Sequence, residues 1–208
     1  MYRVPQRLYG WWRGLDDHQR VQSTLVFSIG LLGLAHYLLF CIPQQFFIED
    51  AGISFAYARN FVEGDGFVTY PGGERVEGFS NPSWTFLIAI FYAMGVEPWT
   101  SSKLLGAIFG LLTLPMVYGT ARRTLIGRPD LSLRSDEGIQ RIKRLDRLAL
   151  LAPLLLVLSP QFAIWNASGL ENSLFCFLLS AATFRIVKEG QEPEKRPLSA
   201  LLFALLAM

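Results

Sequence analysis

Apolar residues in this chain fall in long blocks separated by polar stretches, not in an alternating pattern, which predicts helices meant for a membrane. A helix needs roughly 20 apolar residues to cross the hydrocarbon core. Thr24–Ile42 meets that length without an Asp, Glu, Lys or Arg. Leu104–Ala121 meets it too, with Pro115 predicting a kink. Leu148–Trp165 is a third block, with Pro153 inside it. Asn172–Val187 is a slightly short fourth, with Arg185 placed to snorkel toward its end. Leu198–Met208 opens a fifth block that the end of the sequence cuts. The expected fold class is an all-α integral membrane protein with about five transmembrane helices, the last one truncated.

Between the first two blocks lies a long excursion that predicts two short interfacial helices. Asp50–Val62 places Ile53, Tyr57 and Phe61 at i, i+4 and i+8, an apolar stripe on one face, and Gly64 and Gly66 end it. Pro71-Gly72-Gly73 marks a turn. Ser83–Val96 is apolar almost all round but reaches only about 21 Å as a helix, too short to span. Asn81 suits its N-cap and Pro82 its first turn, with Pro98 as the stop.

Composition agrees with the pattern. The chain is 51% hydrophobic with a mean hydropathy of +0.32, too apolar for an ordinary soluble domain. A net charge of only +2 gives no electrostatic support to a nucleic-acid partner. Position matters more than sum. Arg3, Arg7, Arg13 and Arg20 lie in a leader over 1–23, and eight basic residues crowd the connector 122–147. Positive charge favours the cytoplasmic side, and both segments share that side only if two spans separate them. The excursion 43–103 is then external, as is the turn 166–171, while Lys188–Arg196 returns inside. The connector reads as a topological determinant that touches lipid headgroups, and Trp11, Trp12 and Arg13 as an interfacial anchor. No small-x-small cleavage site follows the first block, so it reads as a retained anchor. Cys41 and Cys176 sit inside apolar blocks and read as small buried hydrophobes, and His18 and His36 have no partner pattern.

The candidate chemistry is acidic. Glu49, Asp50, Glu63, Asp65, Glu74 and Glu77 face only Arg59 and Arg75 over residues 49–82. Glu49 and Asp50 open the first short helix, so each is either an N-cap carboxylate or a general base beside the membrane. Arg59 suits a phosphate, although nine residues along an unbroken helix put it opposite Asp50; its other reading is an ion pair with Glu63 at i+4. Glu171 lies at the mouth of two spans and is either in the cap region of the next helix or a partner for substrate or cation.

Residues 49–84, EDAGISFAYARNFVEGDGFVTYPGGERVEGFSNPSW, resemble the first external loop of bacterial GT-C glycosyltransferases. The shared run is an acidic pair, a small residue, an aromatic and arginine helix, G-x-G, then G-E-x-V-E-G-aromatic-Ser/Thr-N-P-x-W. Residues 168–175, SGLENSLF, resemble the same family's second external loop, with Asn172 where threonine is common. The likeness is to the polyprenyl-phosphate-sugar-dependent transferases, arabinofuranosyltransferase-like and mannosyltransferase-like, and covers residues 24 to about 190. It implies an inverting enzyme of the bacterial inner membrane, with a cytoplasmic N-terminus. A polyprenyl-phosphate sugar would be the donor and a glycan, lipid or protein the acceptor, at the external face. Glu49 or Asp50 would be the base, glutamate standing first where many relatives carry aspartate. Arg59, Glu77, Asn81 and Glu171 match recurrent substrate-binding positions. No organic cofactor is implied; a divalent metal is left open, with Asp50 and Glu171 as candidate ligands. Such enzymes carry further spans, so the chain is expected to be an N-terminal portion. The alternative is a non-catalytic multi-span protein, a scaffold or transporter fragment, though a transporter would bury polar groups at mid-membrane and these spans hold almost none.

Overall fold

The computed structural model describes residues 17–41, 46–76, 78–79, 81–127, 135–192 and 198–206. Among them every regular element is a helix and no strand occurs: α1 Asp17–Cys41, α2 Ala51–Glu63, α3 Pro82–Ala93, α4 Pro98–Ile126, α5 Asp136–Ala149, α6 Leu151–Leu158, α7 Pro160–Asn166, α8 Asn172–Gln191 and α9 Ser199–Leu206. Trp11, Trp12, Arg13 and Glu77 lie outside the described residues.

Two helices, α1 and α4, are long and apolar enough to cross a membrane, or three if the bent run α5–α7 counts as one span. Their apolar side chains point outward: Phe27 is 66% exposed, Leu39 70% and Leu155 66%. A water-soluble chain would bury such groups, whereas lipid covers them. Helices α8 and α9 do not reach that standard: α8 has 20 residues but is diluted by Arg185, Lys188 and Glu189, and the described part of α9 has 8.

Side-chain contacts fix the directions of the helices. Tyr37 near the end of α1 donates to the carbonyl of Lys103 near the start of α4, at 2.9 Å. Gln22 near the start of α1 donates to the Tyr118 hydroxyl near the end of α4, at 3.0 Å. The two helices are therefore antiparallel. Phe109 stacks on Phe177 at 5.5 Å, and Arg123 reaches Gln191 and Glu192 at 3.1 Å, so α8 runs parallel to α4. The α5–α7 run climbs against α1 and α4, from Asp146 beside Gln22 and Arg122 to Asn166 beside Gly106. Fifteen residues separate Gln22 from Tyr37, about 22 Å of helix. At one end of the bundle stand Glu49, Asp50 and Glu171; at the other stand Arg122, Arg123, Arg147 and Lys188.

The differences from the sequence expectations have local causes. Helix α1 is already helical at Asp17, seven residues before the apolar block, and Gln22 in this added stretch is buried and bonded to Tyr118 and to the Asp146 carbonyl. Helix α4 starts at Pro98, not Leu104: Ser101 and Ser102 are buried and their hydroxyls donate to the carbonyls of Pro98 (3.1 Å) and Trp99 (2.8 Å). Hydroxyls satisfied in this way add no unmet polar group to the helix. Helix α4 continues through Pro115. The third block is broken at Ser159–Pro160, with a 62° bend, and not at Pro153. Pro160 has no N–H for the Leu156 carbonyl, which takes Ser159 N–H instead. His36 Nδ1 donates to the neighbouring Val157 carbonyl at 3.0 Å. His36 thus has a partner that spacing could not reveal, and so does His18, 3.1 Å from Asp146. The connector 122–147 is largely helix: α4 runs to Ile126, and α5 starts on Ser135, whose hydroxyl accepts from Gly138 N–H at 3.1 Å. Cys176 is a half-buried free thiol, and the Cys41 side chain lies outside the described residues.

The main core is not between the long helices alone. Ala51, Phe55 and Ala58 of α2, Trp84, Ile88 and Ala89 of α3, Leu105 of α4 and Leu174 and Leu178 of α8 form one buried cluster. Both short helices of the excursion therefore belong to the folded body. The apolar stripe on α2 is not the expected one: Tyr57 is buried, but Ile53 and Phe61 are each 41% exposed. The buried face is Ala51, Ser54, Phe55 and Ala58. Small residues let α2 lie close to α3, Phe55 and Tyr57 are buried with them, and Ile53 and Phe61 turn outward. Trp84 is fully buried at the centre; deleting such a ring costs about 3–5 kcal/mol.

Helix α9 is held by Glu189 of α8, which accepts from the backbone N–H and the hydroxyl of Ser199. These bonds, the hydroxyl first, hold the Glu189 carboxyl below its usual range, with Arg185 adding to the effect. A depressed carboxyl stabilises docking above the ordinary carboxylate pKa of about 4.3, and that contribution is lost as pH falls through the folded value. A spin label at exposed position 204 is expected to gain mobility on acidification, and Ser199→Ala to be mobile already at neutral pH. Mobility independent of pH and unchanged in Ser199→Ala would contradict this.

Candidate functional site

The segment Phe46-Phe47-Ile48 leads into the turn Glu49–Asp50, and α2 begins at Ala51. Ile48 N–H donates to the Ser168 carbonyl at 3.0 Å, which joins the start of the excursion to the turn 167–171. The buried Trp84 Nε1 donates to the Gly169 carbonyl at 3.1 Å. Lys103 Nζ donates to the carbonyls of both Phe46 and Ala167, and lies 4.8 Å from the Trp99 ring centre. Three segments far apart in sequence thus meet at one corner.

Gly169 makes the approach possible. Its φ of +88° favours glycine, and a Cβ there would meet Phe47 Cε2 at 2.9 Å and Ala51 Cβ at 3.1 Å. The Ser168 hydroxyl is turned inward, donating to the Trp165 carbonyl (2.8 Å) and accepting from Leu170 N–H (3.2 Å). The turn is therefore held from within and by its neighbours on both sides. It carries Glu171 two residues beyond the point where Ala51, next to Asp50, touches Gly169.

Glu49 and Asp50 are exposed. Asp50 has helical backbone angles, φ −59° and ψ −26°, and its side chain makes no capping bond. A capping side chain needs an extended backbone at that position, so this geometry removes the purely structural role. None of the ion pairs among the described residues involves either carboxylate. Both acids are thus presented to the outside without an internal task. Glu171 stands at the start of α8, half-buried, and also makes no side-chain cap.

The other candidates separate from this corner. Arg59 is exposed on α2, nine residues or about 13 Å of helix from Asp50 and on the opposite face. It does not form the ion pair with Glu63; Glu63 accepts instead from the Tyr92 hydroxyl at 2.6 Å. That bond holds the Tyr92 phenol above its ordinary value. Asn81 caps α3, its side chain accepting from Trp84 N–H at 3.0 Å from an extended backbone. Asn81→Ala is expected to cost about 1 kcal/mol of stability, and Asn81→Ser or Asn81→Asp to restore most of it. Equal thermal stability of wild type and Asn81→Ala would refute the capping role. Should Asn81→Ser restore stability but not activity, the side chain has a second task at the substrate.

Several residues that build the corner were not singled out from the sequence. Lys103 is a lone cation at the edge of an apolar block in an acidic excursion, and that isolation was the available signal. Tyr57 and Asn60 fasten the glycine-rich lobe to α2: the Tyr57 hydroxyl donates to the Val76 carbonyl and the Asn60 amide to the Val68 carbonyl, each at 2.7 Å. Among the described residues no group of three His, Cys, Asp or Glu side chains is arranged for a metal ion. A divalent ion at Asp50 or Glu171 would need the donor phosphate and water to complete its shell. No family model, curated protein or solved structure matches the chain.

Proposed function

We propose that the protein is a membrane glycosyltransferase with GT-C-like chemistry, moving a sugar from a polyprenyl-phosphate donor to a lipid, glycan or protein acceptor. One observation carries the reading. The segments on which the GT-C likeness rests, Glu49–Ala51, Asn81–Trp84 and Ser168–Glu171, converge through the Ile48–Ser168 and Trp84–Gly169 bonds, and the carboxylates there are free of capping duty. In this reading the acceptor hydroxyl attacks the anomeric carbon from the face opposite the phosphate. A C–O bond to the acceptor forms as the bond to the phosphate oxygen breaks, with inversion. Glu49 or Asp50 takes the hydroxyl proton and later passes it to water, and the lipid phosphate leaves with the bonding electrons. Glu171 would orient the acceptor or the sugar.

The same reading gives the topology: five spans, the N-terminus and the arginine-rich end of the bundle in the cytoplasm, and the acidic corner outside a bacterial inner membrane. The separation of acidic and basic ends along α1 and α4 supports it. The test is mass spectrometry of glycolipids and surface glycans from a strain lacking the gene, with and without complementation. A missing glycoform restored by the full-length protein is expected. An unchanged glycan profile, together with no transfer from any polyprenyl-phosphate sugar in vitro, would leave the non-catalytic scaffold as the better account.

A further inference from the structure

At the end of the bundle remote from the acidic corner, α1, α4 and α5 enclose a cavity of about 540 Å³ lined by His18, Gln22, Val26, Phe27, Tyr118, Arg122 and Asp146, among others. Its polar groups form one network. Arg122 Nε donates to Asp146 Oδ1, His18 Nε2 lies 3.1 Å from Asp146 Oδ2, and Gln22 Nε2 donates to the Asp146 carbonyl at 2.7 Å and to the Tyr118 hydroxyl at 3.0 Å. One atom is left over. Gln22 is only 8% exposed, and its Oε1 is buried with no donor among the described residues. A buried acceptor left unmet is costly, so such a group points to a ligand that brings a donor. Arg122 keeps capacity for a further partner: its side chain is 44% exposed, one of its five N–H groups goes to the Asp146 carboxylate, and it also lies within hydrogen-bonding reach of the Tyr118 hydroxyl.

We propose that this cavity binds the headgroup of an aminophospholipid, the ammonium donating to Gln22 Oε1 and the phosphate lying against the Arg122 guanidinium. Three features select that chemistry. The site holds a cation and an anion side by side, Arg122 and Asp146, so a zwitterion leaves it balanced where a plain anion does not. The unmet group is an acceptor, which a primary ammonium satisfies and a trimethylammonium cannot. The wall continues into Val26 and the outward-facing Phe27, an apolar track for an acyl chain. The location fits a headgroup, because about 22 Å of α1 separates Gln22 from Tyr37 at the other end. The inference needs α1 and α4 to lie in a bilayer, but does not depend on the sugar-transfer reading.

The test is native mass spectrometry of the full chain released from nanodiscs of matched acyl composition containing phosphatidylethanolamine, phosphatidylcholine or phosphatidylglycerol. Retention of phosphatidylethanolamine is expected to exceed that of each of the others about tenfold, the worth of one hydrogen bond to a charged donor. Gln22→Met, which keeps the shape and removes the acceptor together with the two bonds the amide donates, is expected to abolish the preference. Glycerophosphoethanolamine, the headgroup without acyl chains, is expected not to displace the lipid at equal concentration. Equal retention of phosphatidylcholine would overturn the donor argument, and equal retention of phosphatidylglycerol would reduce the site to simple anion attraction. Displacement by the soluble headgroup would remove the lipid from the proposal. If Gln22→Met does not fold, the wild-type ranking of the three lipids decides alone.

Discussion

Glu49→Gln combined with Asp50→Asn is expected to abolish the proposed sugar transfer while leaving folding and membrane insertion intact. Loss of a general base lowers turnover by about 10²–10⁴-fold. The fold should be spared because both side chains are exposed and Asp50 makes no cap; exposed changes away from such features stay within about 0.5 kcal/mol. The single variants then divide the work. If Asp50 is the base, Asp50→Asn alone reproduces the loss and Glu49→Gln changes turnover far less. If Glu49 is the base, the ranking reverses, and Glu49→Asp reports how much one methylene of reach matters. Transfer from a polyprenyl-phosphate sugar by purified variants in nanodiscs is the measurement. Wild-type turnover in the double variant would remove the carboxylates from the mechanism and, with them, the main support for an enzyme.

Gly106→Ala is expected to have a large effect on stability. A Cβ at this position would overlap the carbonyl oxygen of Asn166, where α4 crosses the end of α7. The obstacle is backbone, so no rotamer change relieves it, and the helices must separate. Overpacking costs about 1–3 kcal/mol even where side chains can yield, so a loss of about 3 kcal/mol is expected from unfolding titrations in mixed micelles. Gly30→Ala is the internal control. It is helical and a Cβ there meets nothing within 4 Å, so it should hold or slightly raise stability through helix propensity. A Gly106→Ala midpoint equal to wild type would show that α4 and α7 do not approach as closely as described. The consequence reaches the corner as well. Helix α7 ends at Asn166 and hands the chain to Ala167–Gly169, whose carbonyls receive Lys103, Ile48 and Trp84. Spreading α4 and α7 therefore strains the contacts that hold the start of the excursion to the turn 167–171.

Much of the helical layout was legible because its causes are local. The cap at Asn81 with Pro82 in the first turn fixed the start of α3, and Gly64 with φ +98° ended α2. Helix α5 could have been read from Ser135-Asp136-Glu137 and the spacing of Ile139, Ile142 and Leu145, but the eight basic residues of the connector drew attention to charge instead. The stripe on α2 was misplaced because the i, i+4, i+8 series of large residues suggested one face, whereas the packed face centres on Ala51, Phe55 and Ala58, with Tyr57 beside it. Of the candidate site residues, the structure draws Glu49, Asp50 and the turn bearing Glu171 to one corner, and leaves Arg59 on the far side of α2 and Asn81 engaged as a cap.

By itself the sequence determined that the chain is helical, that blocks such as those of α1 and α4 are long and apolar enough for lipid, and where α2 and α3 begin. These depend on backbone hydrogen bonds and side chains a few residues apart. Only the tertiary structure decided that the third block breaks at Ser159–Pro160, that Lys103 joins the carbonyls of Phe46 and Ala167, and that Ile48, Trp84 and Gly169 meet. Each of those depends on groups dozens of residues apart arriving at hydrogen-bond distance, and no local pattern encodes such an encounter.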